Sequence, residues 1–251
     1  MGPSERSSFP SYPDIIPSPP MVTLTLKEKV LLTSDIWSFS FDAPRDFTWE
    51  GGQHTVAILE HPNPDNRGAA RALSLASAPF EGWVRLVTHC PKKGSTFKQA
   101  LRDLPVGGQL QATDPQDSFL HEGRPFPDVF VAGGIGCATI RSLLLDRDHL
   151  GETLRSRLLY YAPSGQHLFR EELDRLAERQ DGFSVKYLTA DNLQEKGGIK
   201  EVESRPDATY CFSGVYARET LRSDTIADHS KKMEGEERIE IELLAKVAGL
   251  T

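Results

Sequence analysis

Three short stretches of this chain carry residue types suited to nucleotide chemistry. Asp128–Leu145 reads D-V-F-V-A-G-G-I-G-C-A-T-I-R-S-L-L-L: an apolar run (Val129, Phe130, Val131, Ala132), three glycines (Gly133, Gly134, Gly136) around Ile135, then Ile140, Leu143 and Leu144 at helical spacing. This is strand, tight turn, helix. Glycines there let the backbone approach a ligand, and a helix start offers unpaired N–H groups and a positive dipole end that suit a phosphate. The same pattern also serves the tight packing of an α/β unit. Arg71-Ala72-Leu73-Ser74 lies on a candidate strand, where Arg71 offers a rigid fork to a pyrophosphate and Ser74 a hydroxyl to a flat heterocycle. Gly94-Ser95-Thr96 opens a helix and reads as a second phosphate cradle or as a capped helix start. Ser213-Gly214 ends a strand containing Tyr210, Cys211 and Phe212; in a doubly wound sheet it falls beside the first glycine turn.

The elements that must position these residues change rhythm midway along the chain. From Val22 to about His121 the pattern is period two: Val22, Leu24 and Leu26; Trp37, Phe39 and Phe41; then His54–Leu59, Arg71–Ala76, Trp83–His89 and Gln109–Thr113. Six short strands at that spacing imply a small antiparallel barrel. One helix intrudes, with Phe97, Leu101 and Leu104 at i, i+4 and i+7 behind Ser95 or Thr96 as N-cap, and His61–Ala70 reads as an irregular loop. After Gly123-Arg124-Pro125, strands alternate with helices, the habit of a parallel sheet. The strands are expected at Asp128–Gly133, Arg157–Ala162, Ser184–Thr189, Ala208–Ser213 and Arg238–Leu243, with helices around Phe169–Ala177 and Tyr216–Lys232. The expected organisation is a Pro/Ser-rich tail over residues 1–21, a barrel domain over 22–122 and an α/β domain over 123–251.

Composition narrows the partners. With 29 Lys and Arg against 36 Asp and Glu the formal charge is −7, and no basic run occurs, which argues against nucleic acid or an anionic membrane as main partner. No apolar stretch approaches the roughly 18–20 residues that cross a bilayer. Cys90, Cys137 and Cys211 lie far apart and form neither a disulfide ladder nor a metal clip, which fits a cytoplasmic setting without a bound metal.

Taken together and in this order, the stretches resemble the ferredoxin–NADP reductase family of flavoproteins over roughly residues 22–251. The flavin motif R-x-Y-S is matched by Arg71, Ala72, Leu73 and Ser74, and a Gly-Gln pair before an aromatic by Gly52-Gln53-His54. The serine-bearing helix start that holds the flavin pyrophosphate is similar to Gly94-Ser95-Thr96-Phe97. The nicotinamide-nucleotide turn G-G-I-G-I-T-P is matched by Gly133, Gly134, Ile135 and Gly136, and the late C-G-P-P by Ser213, Gly214, Val215 and Tyr216. The departures cluster around the nicotinamide. Leu73 replaces the tyrosine, Ala138 and Thr139 replace Thr-Pro, Ser213 replaces a cysteine, and Asp114-Pro115-Gln116-Asp117 replaces a Gly-Pro-x-Gly stretch.

The resemblance implies a Greek-key flavin barrel followed by a Rossmann-like nucleotide domain, and a flavin-dependent NAD(P)H oxidoreductase. The flavin would be FAD, as in most of the family, with FMN in some members; NADH or NADPH would be co-substrate. Arg71 would hold the flavin phosphates, Ser74 would bond near the reactive ring edge, and Ser95 and Thr96 would cap the pyrophosphate. Val87, Thr88 and His89 lie on the strand that lines the family's cofactor. Gly133–Gly136, Thr139 and Gly214 would take the dinucleotide, with Ser213 near the hydride path. His54 and His89 are read from type alone as structural histidines, Cys137 as packing, and Asp114 and Asp117 as solvated carboxylates. Tyr161–His167, where a 2′-phosphate would lie, contains no arginine, and this leans towards NADH. With no C-x4-C-x2-C run the electron acceptor must be separate: a ferredoxin, a flavodoxin, an oxygenase component or a small oxidant. The substitutions near the nicotinamide also motivate an alternative, a flavin-binding electron-transfer or regulatory subunit with weak nicotinamide reactivity.

Overall fold

The computed structural model describes residues 21–116, 126–193 and 210–214. Its first half is a six-stranded antiparallel sheet curled almost into a closed barrel. The strands are β1 (Met21–Leu31), β2 (Ile36–Asp42), β3 (His54–Ile58), β4 (Ala70–Ser74), β5 (Val84–His89) and β6 (Gln109–Thr113), in the order β4-β3-β6-β1-β2-β5. The two edge strands meet through a bridge between Leu75 and Leu86 and a 2.8 Å bond from the Ala76 N–H to the Arg85 carbonyl, which leaves little edge exposed. Period-two alternation turns Leu24, Leu26, Phe39, Phe41, Ala57, Leu86, Leu110 and Ala112 inward. Helix α1 (Thr96–Asp103) plugs this core with Phe97 and Leu101, both fully buried; each contributes roughly 1.5–3 kcal/mol relative to exposure.

The second half is a parallel sheet of β7 (Val129–Gly133), β8 (Arg157–Tyr161), β9 (Ser184–Leu188) and β10 (Tyr210–Ser213), in the order β10-β7-β8-β9. Helices α2 (Cys137–His149), α3 (Arg170–Arg179) and α4 (Ala190–Leu193) accompany it. Every residue of β7 is buried, as a central strand covered on both faces must be. The strand order reverses at β7, which has β8 on one side and β10 on the other. Helix α2 is buried continuously from Cys137 to Leu145, because it is wedged between the sheet and the barrel.

The strands expected from alternation recur within one or two residues, except that β1 begins at Met21, runs to Leu31 and contains a bulge near Leu26. The strand expected at Arg238–Leu243, the helix at Tyr216–Lys232 and the 122/123 domain boundary lie outside the described residues. So do residues 1–20.

Two interlocks dock the halves. At the turn before β3, the Gly51 N–H donates to Asp146 Oδ2 at 2.8 Å and the Gly52 N–H to Ser142 Oγ at 3.0 Å. A Cβ on Gly51 would stand 2.6 Å from the Ser142 carbonyl oxygen, so only glycine admits α2 this closely. The second interlock is Arg141, 2% exposed, whose fork donates to the Ala76 carbonyl at 2.8 Å, to both oxygens of Glu81 at 2.7 and 2.9 Å, and to Glu172. Three chain segments from both halves thus converge on one guanidinium.

Candidate functional site

Strand β4 pairs with β3 so that Arg71 faces Ala57 and Ser74 faces His54. Arg71 and Leu73 share one face and Ala72 and Ser74 the other. Leu73 packs on the barrel core, where the family motif has tyrosine, while Ala72 is exposed. The Arg71 guanidinium lies over the Phe97 ring, 5.2 Å from its centroid, with its side chain 15% exposed. That places Arg71 beside the start of α1.

An anion sits between them, supplied by the chain itself. The Asp65 carboxylate accepts from the Thr96 N–H at 3.2 Å and from Arg71 Nη2 at 3.3 Å. The Asp65 N–H donates in return to Thr96 Oγ1 at 2.9 Å. Desolvation pushes the Asp65 carboxyl up, but the N–H groups of Arg67 and Thr96 and the guanidinium groups of Arg67 and Arg71 outweigh it and hold it below the usual range. The rest of the Arg71 fork points at neutral carbonyls: Nη1 donates to those of Arg67, Gly68 and Ala70, and the buried Nε has no partner. Burial and the Arg67 charge lower the Arg71 pKa from its ordinary value, with Asp65 opposing. An arginine with an unused N–H, aimed with a helix start at one carboxylate, fits a phosphate. Ser95 acts as N-cap of α1, its hydroxyl accepting from the Lys98 N–H at 3.4 Å, and the Gly94 carbonyl accepts from Gln99 Nε2.

The glycine turn and the end of β10 meet at the strand-order reversal. A Cβ on Gly136 would lie 2.2 Å from the Ser213 carbonyl oxygen, and one on Gly214 would lie 2.1 Å from that of Gly133. The glycines therefore allow the two carboxyl ends to touch, at the place where open α/β sheets bind ligands. Helix α2 starts from Gly136 with no side-chain cap. Tyr160 ties the turn to the loop after β8, its hydroxyl donating to the Gly134 carbonyl at 3.1 Å and accepting from the Leu168 N–H at 2.9 Å. That loop borders a cavity of about 210 Å³ lined by Leu32, Thr33 and residues Gln166–Phe169, between the barrel's first hairpin and the sheet. Thr139 and Ser213 are each 7% exposed.

The two halves of the site are joined by apolar packing. Val87 of β5 and Ala76 pack with Ala138 and Leu168, and Ile135 of the glycine turn lies against them. Val87 thus sets the glycine turn against the barrel wall, and Thr88 is buried beside it. His89 points elsewhere: it is exposed, and its Nε2 lies 2.6 Å from Asp35 Oδ2. Cys137 is fully buried, and desolvation pushes its thiol well above the ordinary value. Asp114 is exposed and Asp117 lies outside the described residues. Among the described residues no group of His, Cys, Asp or Glu could hold a metal ion, and no helix is long and apolar enough to cross a membrane. Sequence reasoning missed Asp65 and Arg141. The signal for Arg141 was a single charge within the run Cys137–Leu145, before the charged end of the helix; Asp65 looked like one more polar residue of an irregular loop.

An antiparallel barrel docked through a glycine turn onto a parallel sheet is the architecture of the described residues. The ferredoxin–NADP reductase from Neisseria gonorrhoeae, solved with bound FAD and NADP, shares it with a TM-score of 0.61 over 76% of this chain and 83% of that one, at 16% identity. No family model matches the chain. In sequence it is similar to ferredoxin–NADP reductase B of Sorangium cellulosum, 31% identical over 147 residues covering 57% of this chain and 59% of that protein. It is also similar to the propane 2-monooxygenase reductase component of Rhodococcus jostii, 37% identical over 200 residues covering 74% and 52%. The chain spans about half the length of such curated relatives. By motif, sequence and fold alike, it is similar to the ferredoxin–NADP reductase-like flavoprotein reductases, which include oxygenase reductase components.

Proposed function

We propose that this chain is a flavin-dependent NAD(P)H oxidoreductase that delivers electrons to a separate acceptor. The observation that carries the reading is the convergence of Arg71 and the Thr96 N–H on one anion position at the barrel's edge strand. A bound flavin, FAD by the resemblance, would supply the redox chemistry, taking a hydride from the nicotinamide and releasing electrons onward.

The chain's own residues have the remaining tasks. Arg71 and the amino end of α1 bind the phosphates, and Phe97 keeps the guanidinium aimed by stacking beneath it. Ser74, at the carboxyl end of β4, offers a hydroxyl beside the ring's place. Gly133–Gly136 and Gly214 provide backbone at the strand-order reversal for the dinucleotide, and Ser213 bounds the same crevice. The Val87, Ala138 and Leu168 cluster excludes water and fixes the distance between the two binding regions. The acceptor is a ferredoxin, a flavodoxin, an oxygenase component or a small oxidant.

The burial of Ala138, Thr139 and Ser213, and the tight contact of Gly136 with the Ser213 backbone, support a second reading. In it the chain is a flavin-binding electron-transfer or regulatory subunit with little nicotinamide reactivity. Arg71→Ala tests the part common to both: the purified variant is expected to lose most of its flavin while keeping its fold by circular dichroism. Full flavin content in the variant would refute both readings.

A further inference from the structure

We propose that Asp65 is a built-in competitor for the flavin phosphates: its carboxylate occupies the anion position between Arg71 and the start of α1, and a flavin must displace it to bind. This rests on the flavin reading above. Two negative groups do not share one position without strong repulsion, and here Asp65 already takes the Thr96 N–H and Arg71 Nη2.

The loop that delivers Asp65 is built to yield. Pro62, Asn63, Pro64, Asn66 and Arg67 are all exposed, so Asp65, with its side chain 25% exposed, is the inward anchor of that run. Asn63 takes a left-handed conformation (φ 52°) and Gly68 another (φ 67°), which turns the loop back on itself. The loop is held by polar bonds, from Arg71 Nη1 to the carbonyls of Arg67, Gly68 and Ala70 and from the Asp65 N–H to Thr96 Oγ1, so moving Asp65 exchanges polar contacts and leaves the barrel core intact. The bonds that tie the Asp65 carboxylate to Thr96 and Arg71 are long for charge-assisted ones, at 3.2 and 3.3 Å, against the roughly 2.7–2.9 Å that an arginine makes with a well-seated oxyanion; its shorter bond, from the Arg67 N–H at 3.0 Å, lies within the loop and can move with it. The idle Arg71 Nε gives an incoming phosphate a donor that Asp65 does not use.

The predicted consequence is selective. Asp65→Asn keeps the shape and the acceptor for Thr96 but removes the charge. Dissociation constants for FAD, FMN and riboflavin are measured by flavin fluorescence on the full chain, with melting temperatures as a check on folding. In the variant, FAD and FMN are expected to bind about two- to five-fold tighter, the effect of removing one partly exposed like charge, while riboflavin, which has no phosphate, is unchanged. Asp65→Ser, smaller and neutral, is expected to give the same pattern and serves if the asparagine variant misfolds. Weaker FAD binding in the variants would mean that Asp65 positions Arg71 rather than competing, and would overturn the inference. Equal FAD affinity in wild type and variants would also overturn it while leaving the flavin reading standing. Failure of wild type and variants alike to bind any of the three flavins would overturn both.

Discussion

Replacing Arg141 with methionine strikes the joint between the two halves of the molecule. The side chain is 2% exposed and satisfies the Ala76 carbonyl, both oxygens of Glu81 and one of Glu172. Methionine fills similar volume but strands Glu81, whose side chain is 10% exposed and would keep only the Ala78 N–H at 2.7 Å and Arg85 at 3.8 Å. Glu172 is 36% exposed and can turn to water, so its loss adds at most about 1 kcal/mol. The Ala76 carbonyl loses a bond worth about 1 kcal/mol. The stranded carboxylate dominates, and breaking such a buried pair costs about 3–5 kcal/mol in total. At roughly 2–4 °C per kcal/mol for a chain of this size, the melting temperature is expected to fall by about 6–20 °C in differential scanning calorimetry. The double variant Arg141→Met with Glu81→Gln should recover part of the loss, because the burden is the charge left behind. A single variant melting within about 2 °C of wild type, or a double variant less stable than the single, would refute the reasoning.

Other expectations follow from the same geometry. Gly136→Ala places a Cβ 2.2 Å from the Ser213 carbonyl oxygen, so either β10 or the turn must shift; a loss of about 1–3 kcal/mol in urea unfolding is expected, and an unperturbed midpoint would contradict it. Desolvation raises the Glu81 carboxyl, but Arg141, the Ala78 N–H and Arg85 hold it below the ordinary glutamate value. Its contribution is therefore complete above the unfolded pKa and is lost as pH falls through the folded one. Wild-type melting temperature should decline on acidification below about pH 4.5, and less steeply in Arg141→Met. The loop after β8 carries no arginine before Arg170, which is held over the Tyr187 ring at 4.4 Å and beside Asp174. The KM for NADH should accordingly lie below that for NADPH; the reverse ratio would overturn this.

Much of the architecture was legible because its causes are local. Alternation in β2 and β5, continuous burial in β7 and the i, i+4 pair Phe97 and Leu101 each encode an element without help from distant residues. The association of Arg71 with the start of α1 was legible only from the family resemblance, since nothing between residues 71 and 96 links them by period. What stayed hidden was tertiary. Whether His89 faces a cofactor or Asp35 depends on a residue 54 positions away. The role of Asp65 depends on a loop whose composition says only that it turns. Arg141 was missed because its partners Glu81 and Glu172 lie 60 and 31 residues distant and become partners only when both halves fold.

The most direct measurement is anaerobic. The purified chain, loaded with FAD and freed of excess, is mixed with NADH while the absorbance of the oxidised flavin near its visible maximum is followed. Bleaching within seconds, one flavin per nicotinamide consumed, is the expected result for an NAD(P)H oxidoreductase. A flavin that binds yet stays yellow with both NADH and NADPH would contradict that activity and leave the electron-transfer or regulatory subunit as the reading that survives.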